Sequence, residues 1–109
     1  MHLRIVDCIR QRCTEPGLTA PDIAASLQIS LRTLHRALAA QQETFGARLI
    51  HARAETGLRM LRSPLFKRTT IEQIGHRAGF PSASHFAQVI RAHTGLTPRR
   101  IRRDALDGR

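Results

Sequence analysis

The sequence predicts an all-α chain of seven helices, arranged as two helix-turn-helix subdomains joined by a long central helix. Three observations predict it. Apolar residues recur three and four positions apart, and no strand-like alternation appears. Capping residues stand just ahead of the apolar runs, at Thr19, Ser30, Thr70, Ser82 and Thr97. One pattern also occurs twice, in Ile23 to Leu38 (IAASLQISLRTLHRAL) and in Ile74 to Ile90 (IGHRAGFPSASHFAQVI). Before the turn the copies are offset by 51, as in Ile23 with Ile74 and Ile29 with Phe80. After it the offset is 52, as in Ser30 with Ser82, Leu34 with Phe86 and Leu49 with Ile101. One extra residue therefore sits in the second turn, around Pro81. A repeat of this length marks a duplicated supersecondary unit.

In chain order, Leu3 to Cys13 reads as the first helix, with Ile5, Val6, Ile9 and Cys13 on its apolar edge. Glu15-Pro16-Gly17 ends it. Thr19 caps the second helix, with Pro21 in its first turn and Asp22 favourable against the dipole. Ser30 caps the third, from Leu31 to about Gln41, with Leu31, Leu34, Ala37 and Leu38 expected on the buried side. The fourth runs from Thr44 to Leu61. Phe45, Leu49, Ile50, Ala54, Gly57, Leu58 and Leu61 follow the 3.6-residue period. Gly57 within it implies a close approach of another helix.

Ser63-Pro64 closes that helix. Leu65 and Phe66 are expected to pin a short connector to the core. Thr70 and Gln73 fit a capping box for the fifth helix, which carries Ile71, Ile74 and Ala78. Ser82 caps the sixth, which buries Phe86, Val89 and Ile90. Thr97-Pro98 starts a short seventh, and Asp104 to Arg109 is expected to fray. The organisation expected is a first unit over 1–43, a linker helix over 44–63 and a second unit over 64–109.

Composition narrows the partner. Eighteen Lys and Arg against eight Asp and Glu give a net charge of +10 on 109 residues, which favours a polyanion. Four Phe with no Trp or Tyr are a poor stacking platform for single strands, so the expected partner is double-stranded DNA. No apolar run approaches the ~20 residues that span a membrane, and no secretory leader follows Met1. Cys8 and Cys13 have neither a redox nor a zinc spacing and read as reduced thiols in a cytoplasm. The six His offer no paired metal spacing, so neither metal nor cofactor is expected. No nucleophile–base pair and no Gly-rich phosphate loop point to an enzyme.

In a helix-turn-helix, the second helix enters the major groove and the first crosses the backbone. On the third helix Arg32, Thr33, His35 and Arg36 are the candidate base contacts. Arg presents paired donors to guanine O6 and N7. On the sixth the exposed set is Ala83, Ser84, His85, Ala87, Gln88 and Arg91, of which Ser84, His85 and Gln88 are the base candidates. Gln matches adenine N6 and N7. Ser30, Lys67, Arg68, Ser82 and Arg99 are the phosphate candidates. The central helix, about 27 Å long at 1.5 Å per residue, is expected to set both units against successive major-groove faces ~34 Å apart.

The chain resembles the DNA-binding domain of the AraC/XylS family of bacterial transcription regulators, from about residue 3 to residue 103. The first unit carries the resemblance at Ile23-Ala24, Ile29-Ser30, Leu34, Arg36 and Leu38. The second carries it at Ile71, Ile74, Gly79-Phe80, Ser84, His85-Phe86, Gly95 and Pro98, and IEQIGHRAGFPSASHF is the specific stretch. The resemblance implies a bilobal seven-helix fold that binds duplex DNA near promoters and usually activates RNA polymerase. It also implies a separate N-terminal effector-binding or dimerisation domain in many members. Gln88 stands where the family usually has Arg. Leu38 and Ile90 replace Phe, Glu43 replaces a Gly, and Gly75 replaces Ala. The expected function is a sequence-specific transcription regulator. Its rivals are a sequence-independent nucleoid-type DNA binder, a protein-interaction module, and a repair enzyme that carries a similar module beside a catalytic domain.

Overall fold

Every helix after the first begins where a side-chain oxygen takes up a backbone N–H that has no intrahelical partner. The computed structural model describes residues 1–107. Its helices are α1 His2–Arg12, α2 Ala20–Leu27, α3 Leu31–Ala39, α4 Phe45–Arg62, α5 Ile71–Arg77, α6 Ala83–Thr94 and α7 Pro98–Asp107. A 3-10 turn spans Pro64–Phe66. No strand occurs among the described residues. Ser30 Oγ accepts from Thr33 N at 3.0 Å and Ser82 Oγ from His85 N at 3.1 Å, starting α3 and α6. Thr70 and Gln73 form the expected capping box at 3.0 Å in both directions. Thr19 and Asp22 form a second one, with the Thr19 N–H donating to the Asp22 carboxylate at 2.9 Å. That backbone hydrogen bond, then the one from the Thr19 hydroxyl, holds the Asp22 carboxyl below its ordinary range.

The two turns share one geometry. Gln28 and Gly79, 51 positions apart, both lie at positive φ, 56° and 104°. Ile29 N then donates to Ala24 O, and Phe80 N to Gly75 O, each at 3.0 Å. These bonds satisfy carbonyls at the end of the preceding helix. Pro81 follows as the extra residue, ahead of the Ser82 cap.

The chain divides into two units, Met1–Ala52 and Arg53 onward, so α4 contributes to both. In the first, α1 packs on α2 and α3. Ile5, Ile9, Cys13, Ile23, Leu34, Leu38 and Leu49 form its core. The Arg12 guanidinium closes one side, pairing with Glu15 at 2.8 Å and donating to Ser26 Oγ. His2 lies 2.7 Å from Glu43, and Arg48 donates to the other Glu43 oxygen at 3.2 Å. Gln42, just before Glu43, takes the left-handed conformation at φ 60° in the turn between α3 and α4.

In the second unit α5 and α7 pack on α6. Phe86 is fully buried with Ile74, Ala78, Phe80, Ile90 and Ile101 around it. It lies against Gly57 of α4 and Gly75 of α5. A Cβ added at either would come within 2.6 Å and 2.7 Å of its ring. The close approach expected at Gly57 is thus made by an aromatic side chain.

Four expectations change. Leu31 is 41% exposed, because it opens α3 a turn ahead of Leu34 and overhangs the core. Leu65 is 90% exposed, since the tight 3-10 turn sends Leu65 and Phe66 in different directions and only Phe66 packs inward. The third helix stops at Ala39, with Gln41 in the turn. Residues Asp104–Asp107 continue α7, where Asp104 pairs with Arg100 at 3.0 Å. Gly108 and Arg109, the rest of that expected frayed end, lie outside the described residues.

Candidate nucleic-acid interface

Burial of Leu34 and Leu38 fixes how α3 is rolled. Once those two face inward, Arg32, Thr33, His35 and Arg36 all face out and are exposed. The Thr33 hydroxyl is held at 2.9 Å by Ser30 Oγ, which locks the first turn. Arg32, His35 and Arg36 make no side-chain hydrogen bond or ion pair among the described residues. Arg32 and Arg36, one turn apart, therefore present two guanidinium groups on one strip of helix.

Phe86 and Ile90 roll α6 in the same way. Ser84 and Gln88 are exposed, one turn apart, and Arg91 continues the strip. Position for position, Ser84 and Gln88 stand where α3 has Arg32 and Arg36, so the second strip is uncharged until its far end. His85 differs from the expectation of free exposure. It is half-buried and meets the Phe80 ring edge-on, with centroids 5.5 Å apart. That contact fixes its ring near the start of α6. Ala87, also expected outside, is half-buried.

Of the phosphate candidates, Ser30 and Ser82 are spent on capping, and their oxygens lie at the first turns of α3 and α6. Lys67 and Arg68 are exposed on the connector after the 3-10 turn, and Arg99 is exposed at the start of α7. None of these three cations has a carboxylate partner among the described residues. Carboxylates pair elsewhere: Asp7 with Arg10, Glu15 with Arg12, Glu43 with Arg48, and Asp104 with Arg100. Among the described residues, cations without a carboxylate partner thus include Arg32 and Arg36 on α3, Lys67 and Arg68 on the connector, Arg91 near the end of α6 and Arg99 at the start of α7, beside others on α1, α4, α5 and α7.

One contributor was invisible in the sequence. Arg102 of α7 is half-buried and its Nη1 donates to Thr69 O and, at 3.4 Å, to Phe66 O. Within the run Arg99-Arg100-Ile101-Arg102-Arg103 nothing distinguishes it from its neighbours. Among the described residues no group of three or more His, Cys, Asp or Glu is placed to hold a metal. Among the described residues no helix is long and apolar enough to cross a membrane.

Comparison with known proteins bears on this geometry. The family described as a helix-turn-helix domain matches residues 23–104, both turns included. The transcriptional activator NphR of a Rhodococcus species is 33% identical over 101 residues, 93% of this chain. The chain spans 29% of that relative's length. A transcriptional regulator from Chromobacterium violaceum, described as an AraC-type DNA-binding domain-containing protein, superposes with a TM-score of 0.84 at 26% identity. That match covers 98% of this chain and 93% of that one. A DNA-binding transcriptional dual regulator from Escherichia coli K-12 shares the fold at a TM-score of 0.82, with 23% identity and 93% of each chain covered. With its duplicated turn, its paired caps and this match across both units, the chain belongs to the AraC-type helix-turn-helix family of DNA-binding transcription regulators.

Proposed function

We propose that this chain reads two adjacent major-groove segments of an operator, with α3 in one and α6 in the other. The observation that carries the reading is the outward strip on α3. Its two guanidinium groups are exposed and unpaired on a helix whose roll is fixed by buried leucines. Arg32 and Arg36 are the guanine readers, with Thr33 and His35 beside them. On α6, Gln88 reads adenine and Ser84 and His85 flank it. Ser30, Ser82, Lys67, Arg68 and Arg99 contact phosphates. The reaction is binding alone, and its output is recruitment or exclusion of RNA polymerase at a promoter in a bacterial cytoplasm. A further partner is an effector-binding or dimerisation domain of the kind joined to such modules.

The test is selection of bound duplexes from a random pool at one stated salt concentration, for the native chain and for Arg36→Ala. The native chain should enrich a two-part site. Arg36→Ala should weaken the best site by about 1–3 kcal/mol and relax one or two base pairs within one half. Equal affinity for unrelated duplexes would replace this reading with sequence-independent binding. No retention of any duplex at moderate salt would point to a protein-interaction module.

A further inference from the structure

The second unit contains a cationic segment that is more firmly built than an ordinary surface connector. Between Ser63 and Thr70 the backbone folds into successive tight turns. Phe66 N donates to Ser63 O, Lys67 N to Pro64 O and Thr69 N to Phe66 O, at 3.1, 3.2 and 2.9 Å. Ser63 Oγ caps the first of them through Leu65 N at 3.2 Å. The Phe66 side chain packs on the core, and the Arg77 guanidinium of α5 lies 6.0 Å from its ring centre. Arg102 reaches across from α7 and ties down the carbonyls of Phe66 and Thr69. These two carbonyls bracket Lys67 and Arg68, whose side chains are left exposed and unpaired.

The chemistry of the clasp matters. Arg102 is held by carbonyl oxygens and not by a carboxylate, so its charge is not cancelled. Both donations come from Nη1, whose two N–H groups can serve two oxygens at once. The segment leads directly into α5, the first helix of its helix-turn-helix. In such units that helix crosses the sugar-phosphate backbone. A loose loop carrying two cations loses side-chain and backbone freedom when it meets a phosphate; a braced one has already lost most of the backbone share.

We infer that Arg102 is a positioning residue: it braces the 63–70 segment so that Lys67 and Arg68 engage the DNA backbone as a preformed pair. The inference rests on the reading of this chain as a duplex DNA binder. Its ligand is the phosphodiester of duplex DNA, and the segment reads no base.

The experiment is a mutant cycle on the selected duplex, with affinity measured over a range of salt. Lys67→Ala with Arg68→Ala should lower the slope of log K against log salt by about 0.9 for each contact removed, and the base preferences of the site should stay the same. Arg102→Ala should lower affinity in the native background and reproduce part of that loss of slope. In the background that already lacks Lys67 and Arg68, Arg102→Ala should change neither affinity nor slope. Arg102→Lys, which keeps the charge but is shorter and lacks the planar guanidinium's directed N–H groups, should restore less than half of the loss in log affinity.

An unchanged slope in the variant lacking Lys67 and Arg68 would overturn the inference. So would a further fall of slope when Arg102 is removed from that variant, because Arg102 would then be touching a phosphate itself. Thermal melts of every variant by circular dichroism separate binding from folding, and where Arg102→Ala does not fold, Arg102→Lys takes its place in both backgrounds; equal loss of affinity in the two would overturn the inference. Failure of the wider reading has a different signature, since the native chain would then select no duplex at all.

Discussion

Replacing Gly57 by Ala sets two well-measured tendencies against each other at one atom. In the middle of an 18-residue helix, Ala should stabilise by about 1 kcal/mol over Gly. Here the new Cβ would stand 2.6 Å from Cε1 and 3.1 Å from Cζ of Phe86. Carbon atoms rest about 3.5–4.0 Å apart, so the ring would have to retreat by about an ångström. It has no free direction. Phe86 is 0% exposed, and behind it a Cβ built on Gly75 would already lie 2.7 Å from Cδ2 and 2.8 Å from Cγ. Overpacking of this kind costs about 1–3 kcal/mol.

The net expectation for Gly57→Ala is a loss of up to about 2 kcal/mol, or a melting temperature lower by about 4–8 °C for each kcal/mol. The assay is urea and thermal unfolding followed by far-ultraviolet circular dichroism. Phe86→Leu supplies the control, because it withdraws the ring edge that the Cβ would meet. In that background Gly57→Ala should be neutral or should stabilise by up to about 1 kcal/mol. If Gly57→Ala raised the unfolding midpoint equally in both backgrounds, the packing argument would be refuted.

Three further outcomes are expected of single substitutions. Gln88→Arg puts a charged five-donor fork on the outward strip of α6. It should raise affinity, steepen the salt dependence and move the preference opposite it from adenine to guanine; identical base preferences in the two selected pools would exclude a reading role for this position. Gln42 lies at φ 60°, a conformation that costs a side-chain-bearing residue about 1–2 kcal/mol. Gln42→Gly should therefore stabilise the chain by about 0.5–1 kcal/mol after glycine's extra entropy is counted; a lower urea midpoint would contradict it. The hydrogen bond from His2, then the charge of Arg48, hold the Glu43 carboxyl below its ordinary value of 4.5. A carboxyl lowered in the folded state adds stability above that value and loses it as pH falls from there through the folded value. Glu43→Gln should accordingly flatten the acid limb of the stability curve below about pH 4.5, and parallel limbs for the two proteins would count against the pairing.

The elements were legible because their signals are local. A capping oxygen acts within three residues, and a buried stripe announces itself every three or four, so Thr70 with Gln73 and Leu34 with Leu38 could be read along the chain. The duplicated register was legible for the same reason, and Gln28 and Gly79 occupy matching backbone states. What escaped were contacts between distant positions. Arg102 looks like its neighbours until the connector folds beneath it, 33 and 36 residues away. His85 looks like an open base reader until the Phe80 ring closes on it. Leu65 and Phe66 share a hydrophobic character, and only the tightness of a 3-10 turn separates their fates. Gly75 in place of the family's Ala carried no local signal, because its reason is a ring eleven residues further on, at Phe86.

The position of Cys13 has a practical consequence. The chain has no Trp or Tyr, so intrinsic fluorescence is nearly silent. Both of its thiols lie in the first unit. Cys13 is 1% exposed in the middle of that core, while Cys8 is half-buried at its edge. Neither is in a disulfide. A thiol-specific reagent added under native conditions can reach Cys13 only when α1 lifts from α2 and α3. Its labelling rate therefore measures the opening free energy of the first unit, in the way that amide exchange measures local unfolding. The second unit contains no cysteine and is invisible to the reagent. The rate measured with and without duplex then shows how much DNA closes one half of the chain, with no substitution introduced.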